Sequence, residues 1–123
     1  MFDALRRYFP AKKVRDMIYD QQIEICPLAY MRGRTFDDSW VIGDEMQNST
    51  PSQMKMLLTR IGSGSKMVVT GDIQQHDRGF ENNGLVDLLP RIGQATGIQH
   101  IEFSSDDVIR SEVIKEILKL YSS

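Results

Sequence analysis

The chain has 123 residues, a formal net charge of -2, 41% hydrophobic residues and 26% charged ones. Those values suit a single globular domain over residues 1–123 and exclude disordered and fibrous classes; the charge gives no general attraction to nucleic acid. No apolar run approaches the roughly 18 residues that cross a bilayer, no secretory signal opens the chain, and the one cysteine, Cys26, cannot form an internal disulfide, so the expected setting is the cytoplasm, away from membranes.

The opening reads as helical. Leu5, Tyr8 and Phe9 share a face, Pro10 interrupts, and Val14, Met17 and Ile18 resume the spacing. The basic residues Arg6, Arg7, Lys12, Lys13 and Arg15 read most simply as a solvated face. Residues 23–26 suggest a short strand ended by Pro27, and residues 39–43 a buried parallel strand. A helix follows with clear start signals: Thr50 as N-cap, Pro51 at the first helical position and Gln53 closing a capping box. Met54, Leu57, Leu58 and Ile61 form its buried stripe, and Gly62 and Gly64 stop it.

Residues 67–70 read as the next apolar strand, followed by a polar loop from Gln75 to Asn83. Leu85, Leu88, Leu89 and Ile92 predict a helix that Pro90 should kink or split. Residues 98–103 suggest a last strand, and a closing helix is expected from about Asp106, with Ile114, Ile117, Leu118 and Tyr121 on one side. Strands alternating with helices predict an α/β fold with a mostly parallel sheet, whose ligands bind beyond the carboxyl ends of the strands.

Two strand ends carry candidate chemistry. Trp40-Val41-Ile42 runs through Gly43 into the adjacent acids Asp44 and Glu45. One carboxylate can hold Mg²⁺ and the other can orient or deprotonate water; two solvated acids in a loop before a helix is an equally good reading of this stretch alone. Val68-Val69-Thr70 runs through Gly71-Asp72 toward Gln75, whose amide can donate to or accept from a phosphate oxygen or a water. A plain strand-to-loop turn would have the same sequence character. His76 and His100 lack paired ligands at metal-binding spacing, and the seven methionines read as core filler.

Taken in order, Pro27-Leu28-Ala29-Tyr30-Met31-Arg32-Gly33-Arg34-Thr35, Asp44-Glu45-Met46-Gln47-Asn48-Ser49-Thr50-Pro51, the helix from Gln53 to Arg60, Ser65 to Asp72, and Asp107-Val108-Ile109-Arg110 resemble the PhoH family over nearly the whole chain. The Asp-Glu-Met-Gln-Asn stretch and the Gln-His-Asp-Arg-Gly loop at 75–79 look most like versions carried by bacteriophages. The resemblance implies a RecA-like P-loop core related to superfamily 1 helicases, with ATP and Mg²⁺ as cofactors and RNA as a partner. It implies Asp44 as Mg²⁺ holder, Glu45 as catalytic base, and Asp72 and Gln75 at the γ-phosphate. Arg110 matches a late arginine motif, and Arg32 and Arg34 are candidates for meeting RNA, phosphate or a neighbouring subunit of a ring.

No Gly-x-x-x-x-Gly-Lys-Ser/Thr occurs in these 123 residues. Gly62-Ser63-Gly64-Ser65-Lys66 precedes a strand instead of following one, which is the wrong context for a phosphate cradle. In the family that cradle lies upstream, so the Walker A strand and helix are expected to be missing here. ATP binding is then expected to be weak or absent, with a ring partner or an N-terminal half completing the site. The rival expectation is an interaction or RNA-binding module that has lost hydrolysis. Two departures from the family pattern are Gly43, where a larger apolar residue is usual, and Gln74, where threonine is common.

Overall fold

The computed structural model describes residues 2–73, 83–93 and 95–121. They fall into two compact units, Met1–Gly93 and Gln94–Ser123.

In the first unit, helices α1 (Phe2–Tyr8) and α2 (Ala11–Tyr19) meet at Pro10, which precedes the first turn of α2 and so sits where a missing N–H does no harm. The basic residues of both helices are exposed, and Val14 is buried. Residues 23–26 form no strand; they lead into a 3-10 turn at Leu28–Tyr30. A strand needs a hydrogen-bonded neighbour, and none of the described residues pairs with this segment.

The sheet is small. Strands β1 (Trp40–Gly43) and β2 (Lys66–Val69) pair in parallel, with Trp40 opposite Lys66 and Gly43 opposite Val69. An isolated parallel bridge between Phe36 and Ile61 prolongs the pairing at the amino end. Helix α3 (Pro51–Leu58) crosses over between the two strands, as parallel strands require. Its capping box is complete: Thr50 Oγ1 accepts from the Gln53 N–H at 3.1 Å, and Gln53 Oε1 accepts from the Thr50 N–H at 3.0 Å. The helix ends sooner than its apolar spacing predicts. Ile61 lies beyond it and is half-exposed in the bridge, where its backbone serves the sheet.

Met31, Met46, Met54, Leu57 and Leu85 form the core, with Val41, Met67, Val69 and Leu88 packed against it. Buried side chains of this kind each contribute about 1.5–3 kcal/mol. Met31, Met46 and Met54, with Met56 and Met67 packed against them, thus serve as core filler. A Cβ on Gly43 would stand 2.6 Å from Leu57 Cδ2, so α3 lies directly on β1 and the usual larger residue has no room. Helix α4 (Gly84–Ile92) is capped by Asn83, whose side chain accepts from the Val86 N–H. It is pressed onto the start of α3, because a Cβ on Gly84 would meet Ser49 and Thr50. Pro90 neither splits nor ends α4. It stands in the last turn and removes only one helical hydrogen bond.

The described residues of the first unit cover one face of the sheet. Val41, Met67 and Val69 pack inward, while Trp40, Ile42 and Val68 are exposed, so among the described residues the expected burial of both faces is not met. Parallel sheets are ordinarily covered on both faces.

In the second unit, residues 98–103 carry no assigned secondary structure, so the last predicted strand does not form among the described residues, and His100 lies outside any strand. A 3-10 turn at Ser105–Asp107 precedes helix α5 (Glu112–Tyr121). The closing helix thus starts six residues later than Asp106, at the point where Ser111 Oγ accepts from the Ile114 N–H. The architecture is α/β, a parallel pair of strands flanked by helices, as in a partial RecA-like core. No helix among the described residues is long and apolar enough to cross a membrane.

Candidate functional site

Because β1 and β2 run parallel in register, their carboxyl ends share one rim. The Thr70 N–H donates to the Gly43 carbonyl at 2.8 Å, and the Met46 N–H donates to the Thr70 carbonyl at 3.0 Å. These two bonds bring Asp44 beside Thr70. Thr70 Oγ1 donates to Asp44 Oδ1 at 2.8 Å, and the Glu45 N–H donates to the same oxygen at 3.1 Å. The other oxygen, Oδ2, takes no hydrogen bond from the described residues, and Asp44 is exposed. One oriented carboxylate with an open oxygen and a hydroxyl beside it fits Mg²⁺, which keeps most of its waters and takes few protein ligands. No group of three or more His, Cys, Asp or Glu able to hold a metal occurs among the described residues, which sets this rim apart from an all-protein metal cage.

Glu45 is turned differently. Its backbone is left-handed, with φ 55° and ψ 41°, a conformation that costs a non-glycine residue about 1–3 kcal/mol and recurs at functional sites. The two acids therefore diverge through this left-handed residue, not through the alternation of a continuing strand. The turn is locked from both sides: the Asn48 N–H donates to the Glu45 carbonyl at 3.1 Å, and Gln47 Nε2 donates to Glu45 Oε2 at 2.7 Å.

Gln47 also holds the second strand exit, since its Oε1 accepts from the Asp72 N–H at 3.1 Å. Gly71 is required there for space. A Cβ on it would lie 2.7 Å from Leu85 Cδ2 and 2.8 Å from Gln47 Oε1. The need for glycine here is a close approach of the chain to these two groups. Asp44, Glu45 and Asp72 thus share one rim, held by Thr70 and Gln47, neither of which the sequence analysis gave a role. Gln47 stands two residues after Glu45 with an amide that donates and accepts, but its direction follows from the left-handed Glu45, which no sequence pattern announces. Gln75 and His76 lie outside the described residues.

The arginines separate. Arg34 grips Glu24 with both guanidinium nitrogens, at 2.6 and 3.1 Å, donates to Cys26 Sγ at 3.3 Å and stacks on Phe36 at 4.9 Å. The guanidinium lowers the Glu24 carboxyl below its ordinary range, and Glu24 in turn raises Arg34. Arg34 is therefore committed to joining the segments on either side of the 3-10 turn. Arg32 is exposed beside Gly33, which has a φ of 80°, in the loop after the 3-10 turn at Leu28–Tyr30. Arg110 belongs to the second unit, exposed between the 3-10 turn and α5.

The glycine-rich run before β2 is filled. Asp37 Oδ1 accepts from the Ser63 N–H at 2.9 Å, and a Cβ on Gly64 would collide with Asp38 Oδ1. Two carboxylates occupy the ground an anion would need, so this run is no phosphate cradle.

The family model described as "PhoH-like protein" matches residues 1–122. A PhoH-like protein of Synechocystis is 41% identical over 98% of this chain and 37% of its own length. A PhoH-like protein of Bacillus subtilis is 45% identical over 98% of this chain and 38% of its own, and Protein PhoH of Escherichia coli is 45% identical over 82% and 29%. The chain spans well under half the length of these relatives. Its match, in contrast, runs across both strand exits and through to α5, and on that ground the chain belongs to the PhoH-like protein family.

Proposed function

We propose that this chain supplies the metal-holding and γ-phosphate half of a PhoH-type ATPase site, with hydrolysis coupled to RNA. The observation that carries the reading is the shared rim: Asp44, Glu45 and the Gly71–Asp72 exit stand together at the carboxyl ends of two parallel strands. In open α/β sheets that rim is where ligands bind. Mg²⁺, when bound, would neutralise charge on the phosphates. Asp44 would hold it through Oδ2, with Thr70 aiming the carboxylate. Glu45, fixed by Gln47, would orient a water and take its proton. Asp72 would lie toward the outer phosphate, joined by Gln75. Arg110 would offer charge to a transferring phosphoryl group, and Arg32 to RNA or a neighbouring subunit. Arg34 is the weaker candidate for such contact, because its guanidinium is already paired.

The phosphate cradle must come from outside these residues, since no Gly-x-x-x-x-Gly-Lys-Ser/Thr occurs among them. Its backbone N–H nest and lysine supply most of the grip on a triphosphate, so the chain alone binds ATP weakly and does not turn it over. A ring neighbour or an N-terminal segment bearing the cradle would complete the site. The test adds such a segment in trans and measures phosphate release. Activity is expected with the wild-type chain and falls at least about 100-fold with Glu45→Gln. Turnover that survives Glu45→Gln, or micromolar ATP affinity of the chain by itself in calorimetry, overturns the reading.

A further inference from the structure

Gln47 is the residue that the proposed site leaves without a chemical task, and its position is hard to account for by stability. It is 3% exposed, beside the core residue Met46, yet both ends of its amide are engaged in the site. A buried amide is tolerated only when its hydrogen bonds are made, and an apolar side chain of similar length would fill the same space without that demand. Here both bonds run to the rim. Nε2 reaches the carboxylate that follows β1, and Oε1 reaches the N–H that follows β2. Gly71 is shaped to this contact as well, standing where any Cβ would press on Gln47 Oε1 and lie 3.2 Å from the Gln47 N. The partner on the first side, Glu45, is the left-handed residue, and its Oε2 accepts from Gln47 Nε2 at 2.7 Å.

We infer that Gln47 is a positioning residue: it locks the Glu45 carboxylate to the Gly71–Asp72 exit, so that the base on one strand and the loop leaving the next are set as a single unit. A primary amide is suited to this because it donates and accepts at once while adding no charge beside Asp44 and Glu45. Glutamate at the same position could accept from Asp72 but would meet Glu45 as a like charge. A methionine would fill the space and make neither bond. The inference rests on the ATPase reading for its catalytic meaning, but the link itself is readable without turnover.

The experiment therefore has two arms, with Gln47→Met and Gln47→Glu. In the first, amide hydrogen exchange of the chain is followed by NMR. Gln47→Met is expected to speed exchange at Asp72 at least about 10-fold while the core amides of α3 keep their protection, whereas Gln47→Glu leaves Asp72 protected. In the second, each variant is assayed with the cradle-bearing segment. A misplaced base is expected to lower kcat about 100-fold with KM nearly unchanged. For Gln47→Glu, activity relative to wild type should climb as pH falls, because only the protonated acid can donate to Glu45. Unchanged exchange at Asp72 in Gln47→Met overturns the link. An unchanged kcat, or a loss confined to KM, overturns the positioning role. If Gln47→Met does not fold, the pH profile of Gln47→Glu decides, and a flat ratio to wild type refutes the role. If the wild-type assembly releases no phosphate, the ATPase reading fails, and the exchange arm still decides whether the link exists.

Discussion

Thr70 and Asp44 belong to different strand exits, and the 2.8 Å hydrogen bond from Thr70 Oγ1 to Asp44 Oδ1 means that one strand aims the carboxylate of the other. If Asp44 holds Mg²⁺ as proposed, this hydroxyl stands one bond behind a metal ligand, where removal of a partner typically changes affinity 10–100-fold. Thr70→Val keeps the shape and deletes the donor. It is expected to weaken Mg²⁺-dependent ATPase activity of the completed assembly about 10–100-fold while changing stability by less than about 1 kcal/mol, the group being exposed. A magnesium titration of turnover paired with chemical denaturation reads both. Loss of activity that excess Mg²⁺ does not partly restore would contradict this account.

Gly71 tests the close approach of the second exit. Gly71→Ala would force apart Leu85 Cδ2 and the Gln47 amide, two groups that cannot both retreat because one is core and the other is bonded. Overpacking of this sort costs about 1–3 kcal/mol. Urea denaturation should show a midpoint lowered to that extent. A variant as stable as the parent would mean that the exit is looser than it looks.

The pairing of Glu24 with Arg34 gives a pH signature. The folded-state pKa of Glu24 is depressed, chiefly by its hydrogen bond to Arg34, so the pair stabilises fully above the ordinary carboxylate range. That contribution is lost as pH falls through the depressed value, while Arg34, raised by Glu24, stays charged throughout. Arg34→Met should flatten this acidic portion of the stability curve. The pair is substantially exposed, so the difference should shrink in high salt. Thermal melts across the acidic range at two salt concentrations measure it; identical profiles for parent and variant would refute the assignment.

What the sequence disclosed depended on whether the cause was local. The capping box at Thr50 was readable because its three residues specify it, and so were β1, β2 and α3, whose apolar runs end in glycine or acid. The acids at the rim were readable from their place after a strand. The false strands at 23–26 and 98–103 show the opposite case: apolar residues with β character form no strand without a hydrogen-bonded neighbour, and neighbours are not written locally. Thr70 and Gln47 were missed for a similar reason, since their partners are separated from them by 26 and 25 residues and are reached only through the parallel pairing. Arg34 reads as a contact arginine until Glu24 is seen beside it.

Trp40 is the only tryptophan in the chain, and it lies 69% exposed on the sheet face that the core does not cover among the described residues, with Lys66 Nζ 5.3 Å from its ring. Its fluorescence is therefore an intrinsic optical probe of that face, free of background from any other indole. Emission from a water-exposed ring is red-shifted. Any covering of the face by another chain segment would move it to the blue, without a label.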